Sequence, residues 1–517
     1  MLPKKLSFLS TIFLASLAAR AQVQVLDSPN LSPLRTVSAS LPNNSISHID
    51  IEGNAIFIGT SKGLARTNDG GKSWESFRGV SAFANDGIFS LGVRGNTIWA
   101  ATGFSKPVPN EENRTVQTGS GYAYSFDNGV TWQQLNQPLD GPGDSLVQYG
   151  NNQVSFLPII VPEQNVTFDL ALTDSLVWIA SWSSGLRKAN YRNSTISFQR
   201  TVLPSDARNS ISPNDSLRGY RLDPRNNNNF LAFSVYVEND TTVWCGTAGG
   251  INRSTDKGVS WTKFSAQNQA SHILGNWVIA INGQRLGNRT RIWCTNWRAE
   301  DQTEQFGISC TDDGGRIWRN FLHGVKAYDF AFKDSIVYVA SDEGVFRSSD
   351  GGNSWILSGT IIDKLTGQRI TTKRFFSVGV HNDTVFCGSG DGLVKTIDNA
   401  TNPFGQTWQV LRAYRPLGAN TSTTYIYPNP FSPKQEQARV HYSTGGRTAS
   451  VTIEVFDFGM NRVRTIIKDA QRTGVSEHDE LWDGLDDTKR IVANGVYFYR
   501  VTIDGAEPAW GKVMVLQ

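Results

Sequence analysis

One strand-like segment recurs seven times along this 517-residue chain. Its copies are Ile56-Phe57-Ile58-Gly59-Thr60, Ile98-Trp99-Ala100-Ala101-Thr102, Val177-Trp178-Ile179-Ala180-Ser181, Val243-Trp244-Cys245-Gly246-Thr247, Ile292-Trp293-Cys294-Thr295, Val337-Tyr338-Val339-Ala340-Ser341 and Val385-Phe386-Cys387-Gly388-Ser389. Around the first copy lie an apolar run from Ile49 to Gly53, a third run Gly63-Leu64-Ala65-Arg66, and a polar turn from Thr67 to Trp74. Four short alternating runs separated by Gly, Asn and Asp read as a four-stranded antiparallel meander. A meander of about 40–50 residues cannot bury its apolar face alone, so the copies must stack, and seven of them close into a ring. The predicted fold class is all-β: a seven-bladed β-propeller. Helical periodicity is nearly absent between copies, which excludes α/β arrangements.

The remaining composition narrows function by exclusion. With 49 basic against 46 acidic side chains the chain carries a formal charge of only +3, without the basic face that nucleic-acid binding requires. At the N-terminus, Lys4-Lys5 precedes an apolar run from Leu6 to Ala18 and the small-x-small sequence Ala19-Arg20-Ala21, the pattern of a secretory signal peptide over 1–21. That run is too short to span a bilayer stably, and no later stretch reaches about 18 apolar residues. The expectation is a secreted or cell-surface protein with no transmembrane segment. The propeller is expected over 22–417, a linker over 418–424 and a second β-domain over 425–517.

The polar turn before each Trp recurs with its own signature. It stands as Thr67 to Trp74 around Asp69, Ser125 to Trp132 around Asp127, Ser254 to Trp261 around Asp256, Asp312 to Trp318, Ser348 to Trp355 around Asp350, and, with an insertion, Thr396 to Trp408 around Asp398. These residues resemble the Asp-box, S/T-x-D-x-G-x-T/S-W, of sialidase-like BNR propeller repeats. The third copy departs from it, with Asn190 to Phe198 lacking Asp, Gly and Trp, and the fifth has Ile317 in place of the hydroxyl. The Asp can accept backbone N–H bonds across the turn, Gly supplies positive φ, and Trp packs between sheets. Residues repeated around a ring build the ring, so the box is read as structural.

From Tyr425 the repeat gives way to Tyr427-Pro428-Asn429-Pro430-Phe431, alternating runs at Ala438–Tyr442 and Val451–Phe456, a turn at Asp457-Phe458-Gly459, Arg462 to Ile467, Trp482-Asp483-Gly484, Val492 to Arg500, and a closing Gly511 to Leu516. Short strands of this kind predict a small Ig-like β-sandwich. The landmarks resemble the C-terminal sorting domain of type IX secretion cargo and the related Ig-like domain of flagellar hook-capping proteins. That resemblance implies a secretion machinery as partner through 425–517, and release or attachment at the cell surface.

Strand parity places the Asp-boxes on one face of the ring, among tight turns. The long insertions, Phe104–Gly119, Asn136–Asn165, Pro204–Asn227 and Trp297–Phe306, are expected on the other, where binding residues concentrate on variable loops. The position after the repeated strand holds Ser61, Gly103, Ala248, Asp342 or Gly390 in five blades but Trp182 in the third and Trp297 in the fifth. Trp pairs serve as platforms for sugar rings or as protein hot spots. A protein or glycan site is therefore expected at Trp182, Trp297, Glu300, Asp301 and Glu304. Arg66, Arg187, Arg253, Arg347 and Lys395 recur at another position and are read as inter-blade contacts. Cys245, Cys294 and Cys387 share a core position in different blades; Cys294 and Cys310 share a blade and could meet, but four free thiols are expected.

Catalysis finds little footing. The resemblance to sialidases implies an early Arg-Ile-Pro motif, and no such tripeptide precedes the first box. Related xyloglucan hydrolases place paired Asp residues between two propellers, and one is present here. The Gly59-Thr60-Ser61-Lys62-Gly63 run matches G-x-S-x-G only in letters, because no helix follows it. Six scattered histidines lack metal-ligand spacing. The expectation is a non-enzymatic binding module without metal or cofactor; the alternative is a secreted glycoside hydrolase of sialidase-like or xyloglucanase-like type.

Overall fold

A computed structural model describes residues 36–38, 41–77, 79–83, 86–108, 114–413, 424–434, 437–473 and 477–517. The expected leader and residues 418–423 of the expected linker lie outside them. Among the described residues, seven sheets each contain four strands consecutive in sequence and antiparallel in order. The first comprises Ile46–Glu52, Ala55–Thr60, Gly63–Thr67 and Trp74–Ser76. The seventh comprises Phe375–His381, Thr384–Ser389, Gly392–Ile397 and Gln409–Leu411. The innermost strands, which include Gly87–Arg94, Thr167–Leu172, Ala232–Val237, Ile281–Leu286 and Ala327–Lys333, pack in succession, and the seventh returns onto the first. The fold is a β-propeller, as the repeat predicts.

Closure between the last and first blades has identifiable causes. A Cβ on Gly388 would lie 2.7 Å from Ile46 Cγ2, so only glycine permits this approach. Lys395 Nζ donates to Gly70 O at 2.6 Å, and Phe386 and Leu393 join the apolar cluster of the first blade. Between other blades, the Trp of one box meets the aromatic residue of the preceding repeated strand edge to face. Trp178–Trp261, Trp244–Trp318 and Trp293–Trp355 cross at 81°, 85° and 87°, a favoured aromatic geometry.

The Asp-box turns show one pattern in five blades. In the fourth, Asp256 Oδ1 accepts the amides of Val259 and Ser260 and the Ser254 hydroxyl, while Oδ2 accepts the Ser260 hydroxyl. Asp69, Asp127 and Asp350 bind their turns in the same manner. Two assignments are corrected. In the fifth blade the turn closes on Asp313, which accepts from Thr311 Oγ1 and the amides of Arg316 and Ile317, while Asp312 pairs outward with Arg291 and Arg319. In the seventh, the insertion carries Asp398 away from its own turn, and it accepts from Tyr338 Oη and from Arg347 Nε in the sixth blade.

The cation position is also shifted in one blade. Register pairs Arg66, Arg253, Arg347 and Lys395 with the aromatic residue of the repeated strand, and in the third blade the residue opposite Trp178 is Lys188 rather than Arg187. Lys188 Nζ lies 5.0 Å from the Trp178 ring and donates to Lys257 O of the next box. Arg187 turns elsewhere and shares Asp140 with Arg200. The third blade, which lacks a box, is locked by this ion triad instead.

Two of the four insertions depart in part from the expected face, although residues 162–164 stay there against residues 117–119 and Ser183. Residues 146–149 and 152–156 form a hairpin joined in parallel by Arg221–Leu222, and Ser210–Ile211 add an outer strand to the fourth blade. Their apolar residues Tyr149, Val154, Phe156 and Leu222 share one core with Trp178 and Trp261, and Tyr149 Oη donates to Val259 O on an Asp-box turn. They form an added layer because they carry enough apolar surface to bury. The insertion in the second blade is a hairpin extension, with Phe104 paired to Thr118 and Pro107 to Thr115.

All four cysteines are free and buried. The C-terminal residues form two sheets, Thr424–Tyr427, Ala438–Ser443 and Glu477–Trp482 against Arg462–Arg472, Ala449–Phe456, Gly495–Ile503 and Ala509–Val515. Val440, Tyr442, Ile453, Trp482 and Tyr499 share the core between them. Among the described residues, no helix is long and apolar enough to cross a membrane.

Candidate functional site

The site is built by a defect that recurs in the innermost strand. In six blades the register against the second strand slips by one residue near the start, between Ile46 and His48, Ile88 and Ser90, Thr167 and Asp169, Ala232 and Ser234, Ala327 and Asp329, and Phe375 and Ser377. A β-bulge leaves one residue unpaired and re-aims its side chain. The residues so displaced are Ser47, Phe89, Phe168, Phe233, Tyr328 and Phe376, and all six line a central channel of about 1200 Å³. Five of the six are aromatic. In the remaining blade Trp277 and Ile279 reach the same channel.

The rings touch in sequence around the mouth. Centroid separations run 6.4 Å for Phe89–Phe168, 5.4 Å for Phe168–Phe233, 5.1 Å for Phe233–Trp277, 5.9 Å for Trp277–Trp297, 5.4 Å for Trp297–Tyr328 and 5.6 Å for Tyr328–Phe376. Trp182 sits 6.1 Å from both Phe168 and Phe233. The two tryptophans singled out by the sequence thus belong to one aromatic collar at the long-loop end of the channel, interrupted only where the first blade contributes Ser47. Both are half-buried, and Trp297 Nε1 donates to Ala327 O at 2.9 Å.

The acidic residues expected beside them divide. Glu300 and Asp301 are exposed, and Asp301 accepts from the Thr303 amide and hydroxyl. Glu304 turns inward at 4% exposure, where it accepts the amides of Asn276 and Ala299 and the side-chain amides of Asn276 and Gln267. Its carboxylate holds the loop together rather than facing the channel.

Three carboxylates missed by the sequence reading lie deeper. Asp169 Oδ2 accepts the Val235 amide of the next blade and Oδ1 accepts Leu170 N. Asp329 treats Val378 and Phe330 in the same way, and Asp50 accepts Val93 of the next blade and Ile51. Each therefore bridges neighbouring innermost strands while lining the channel. Burial pushes Asp169 and Asp329 up to about 7, against the pull of those amides and with further upward pressure from Asp329 on Asp169 and from Asp50 on Asp329. Burial likewise raises Asp50 to about 6 and lowers His48 to about 4. Of the recurrent cations, Arg66, Arg253, Arg347 and Lys395 do not line the channel, which fits inter-blade contacts.

One signal could have found the collar. Counted back from the aromatic of the repeated strand, Phe89, Phe168, Tyr328 and Phe376 each lie ten residues before it and Phe233 eleven, out of phase with the alternation that follows. Among the described residues, no group of three His, Cys, Asp or Glu side chains converges as a metal site.

No protein-family model matches this sequence, and no curated protein matches it. Solved structures do resemble the fold. The GH74 enzyme of Niastella koreensis superimposes with a TM-score of 0.52 at 13% identity, covering 93% of this chain and 74% of that one. At that identity the likeness speaks to the β-propeller fold alone. Weaker likenesses are to YCF48 from Cyanidioschyzon merolae, with a TM-score of 0.43 at 17% identity over 70% of this chain and 98% of that one, and to PorZ, a surface component of the type IX secretion system of Porphyromonas gingivalis, with 0.34 at 14% over 92% and 66%.

Proposed function

We propose that this chain is an exported, surface-acting propeller of the Asp-box kind that binds a protein or glycan at the long-loop mouth of its channel. Residues 425–517 serve as an Ig-like sorting domain for type IX secretion, and the signal peptide at 1–21 directs the first export step. The observation that carries the binding reading is the collar: aromatic residues from six blades converge on one opening, and Trp182 and Trp297, which the repeat does not require, complete it. Such clustering of large amphipathic rings marks contact surfaces.

The binding is non-catalytic in this reading. Glycoside hydrolysis needs two carboxylates free to act on either side of a bond, whereas Asp50, Asp169 and Asp329 each have both oxygens engaged by main-chain amides that join blades. The test pairs glycan and protein arrays with a double variant, Trp182→Ala with Trp297→Ala. Retained circular dichroism with at least tenfold weaker binding to the array hit supports the reading; unchanged binding overturns it. Turnover of sialosides, β-glucans or xyloglucan by the purified chain would overturn the non-catalytic part.

A further inference from the structure

The channel beneath the collar is acidic. Its lining includes Asp50, Glu52, Asp169, Asp174 and Asp329 against a single guanidinium, that of Arg94. Arg94 Nε is held by Asp174 at 2.7 Å at the far, exposed rim. No described cation of the protein lines the channel near Asp50, Asp169 and Asp329. A carboxylate offers about four acceptor sites, and Asp50 uses two of them on Ile51 and Val93. Capacity for a further donor remains. All three carboxyls are half-buried and open onto the channel, where a cation would pair with them more strongly than across bulk water.

We propose that the central channel receives a polypeptide segment bearing lysine or arginine, admitted through the aromatic collar so that its cationic head rests among Asp50, Asp169 and Asp329. This rests on the binding reading above and names its ligand class. Aromatic faces attract ammonium and guanidinium groups, so the collar favours the same charge that the carboxylates below it require. Dimensions agree. Innermost strands of six to eight residues span roughly 20 Å at about 3.3 Å per residue, so a volume of about 1200 Å³ corresponds to a mean cross-section of roughly 60 Å². An extended chain occupies about 48 Å², from strand and sheet spacings of about 4.8 and 10 Å.

The collar suits a slender cation better than a sugar. Phe89–Phe168, Trp297–Tyr328 and Tyr328–Phe376 meet at 70°, 81° and 82°, while Phe168–Phe233 and Phe233–Trp277 tilt at 32° and 54°, so the rim as a whole is not one flat platform.

The experiment uses the full chain and three fluorescein-labelled peptides of sequence Gly-Ser-X-X-X-Ser-Gly, with X as Lys, Arg or Glu, read by anisotropy. The Lys and Arg peptides are expected to bind and the Glu peptide not. Ser47→Lys plants a tethered ammonium in the gap of the collar and is expected to weaken Lys-peptide binding at least tenfold by competition. Asp169→Asn with Asp329→Asn is expected to do the same. Should that pair fail to fold, Ser47→Lys decides alone, with Ser47→Ala as its control: both remove the Ser47 hydroxyl's bonds to Gly59 O and Ile88 O and leave those of the carboxylates, and only the lysine is expected to weaken binding. Equal binding of all three peptides, or Lys-peptide binding indifferent to Ser47→Lys, overturns the proposal. Failure of the cationic peptides to bind while an array glycan is retained by the wild type and lost in the Trp182→Ala, Trp297→Ala variant also overturns it, yet leaves the broader binding function standing. Failure of the cationic peptides together with absence of any array hit overturns both.

Discussion

On the tight-turn face of the ring, Asp350 accepts the hydroxyl and amide of Ser354 and the hydroxyl of Ser348, which together hold its carboxyl down to about 2. On the channel wall, Asp329 also accepts two amides, from Phe330 and Val378, and is pushed up to about 7 by burial. The hydrogen-bond inventories are similar and the outcomes opposite. What differs is surroundings: the turn carboxylate is exposed, whereas the channel carboxylate is half-buried in the channel wall and feels the like charge of Asp50. The turn motif is satisfied within itself. The channel motif holds blades together but leaves negative charge wanting a partner, which separates a repeated scaffold from a repeated site.

The largest test of that contrast removes a tryptophan from each region. Trp261 is fully buried between the third and fourth blades, so Trp261→Ala is expected to cost ~3–5 kcal/mol, read as a fall in the urea midpoint. Trp182→Ala, at the half-buried collar, is expected to cost less than half of that while weakening ligand binding. A Trp182 variant as unstable as the Trp261 variant would make the collar scaffold too.

The pH dependence separates the regions next. Asp50, Asp169 and Asp329 have folded values of about 6, 7 and 7 against an ordinary value of 3.8. Between pH 4 and 7 the folded state therefore binds more protons at these sites than the unfolded chain does. Their contribution to stability is fully present below pH 4 and falls as pH rises toward 7, by at most about 1.4 kcal/mol per pH unit for each group. Turn carboxylates such as Asp127 and Asp350, at about 2, work in the opposite sense: their contribution is present above pH 4 and is lost as pH falls toward 2. Urea midpoints measured from pH 4 to 8 are expected to decline less steeply in Asp169→Asn with Asp329→Asn than in the wild type. An unchanged slope would place the charging of these groups outside the range assigned here.

The sequence carried the ring because each blade repeats a buried strand and a turn whose chemistry is local. Trp99, Trp178, Trp244 and Trp293 are all wholly buried at one repeat position, and their spacing needs no tertiary information. The collar was half-visible. Trp182 and Trp297 stood out as departures from the repeat, but Phe89, Phe168, Phe233, Tyr328 and Phe376 did not, because a one-residue bulge reads in sequence as imperfect alternation and acquires meaning only when neighbouring blades aim it at a common axis. The channel aspartates were hidden for the same reason. Asp169 and Asp329 stand where other blades have His48, Ser90, Ser234, Ala280 and Ser377, and only ring closure brings them into one low-dielectric space.

The smallest effect concerns a choice between adjacent residues. Asp312 and Asp313 both suit the box by spacing, and hydrogen bonding separates them: Asp313 accepts from Thr311, Arg316 and Ile317 within the turn, whereas Asp312 meets Arg291 and Arg319 at the surface. Removing a side chain that caps several turn donors costs ~1–2 kcal/mol, and removing one end of a solvent-screened ion pair costs about 0–1 kcal/mol. Asp313→Ala is therefore expected to lower the urea midpoint more than Asp312→Ala, and added salt should shrink the effect at Asp312 while sparing that at Asp313. The reverse order would return the box to Asp312. It would also weaken the contrast between regions, since the fifth turn would then depend on inter-strand charge rather than on a self-contained loop.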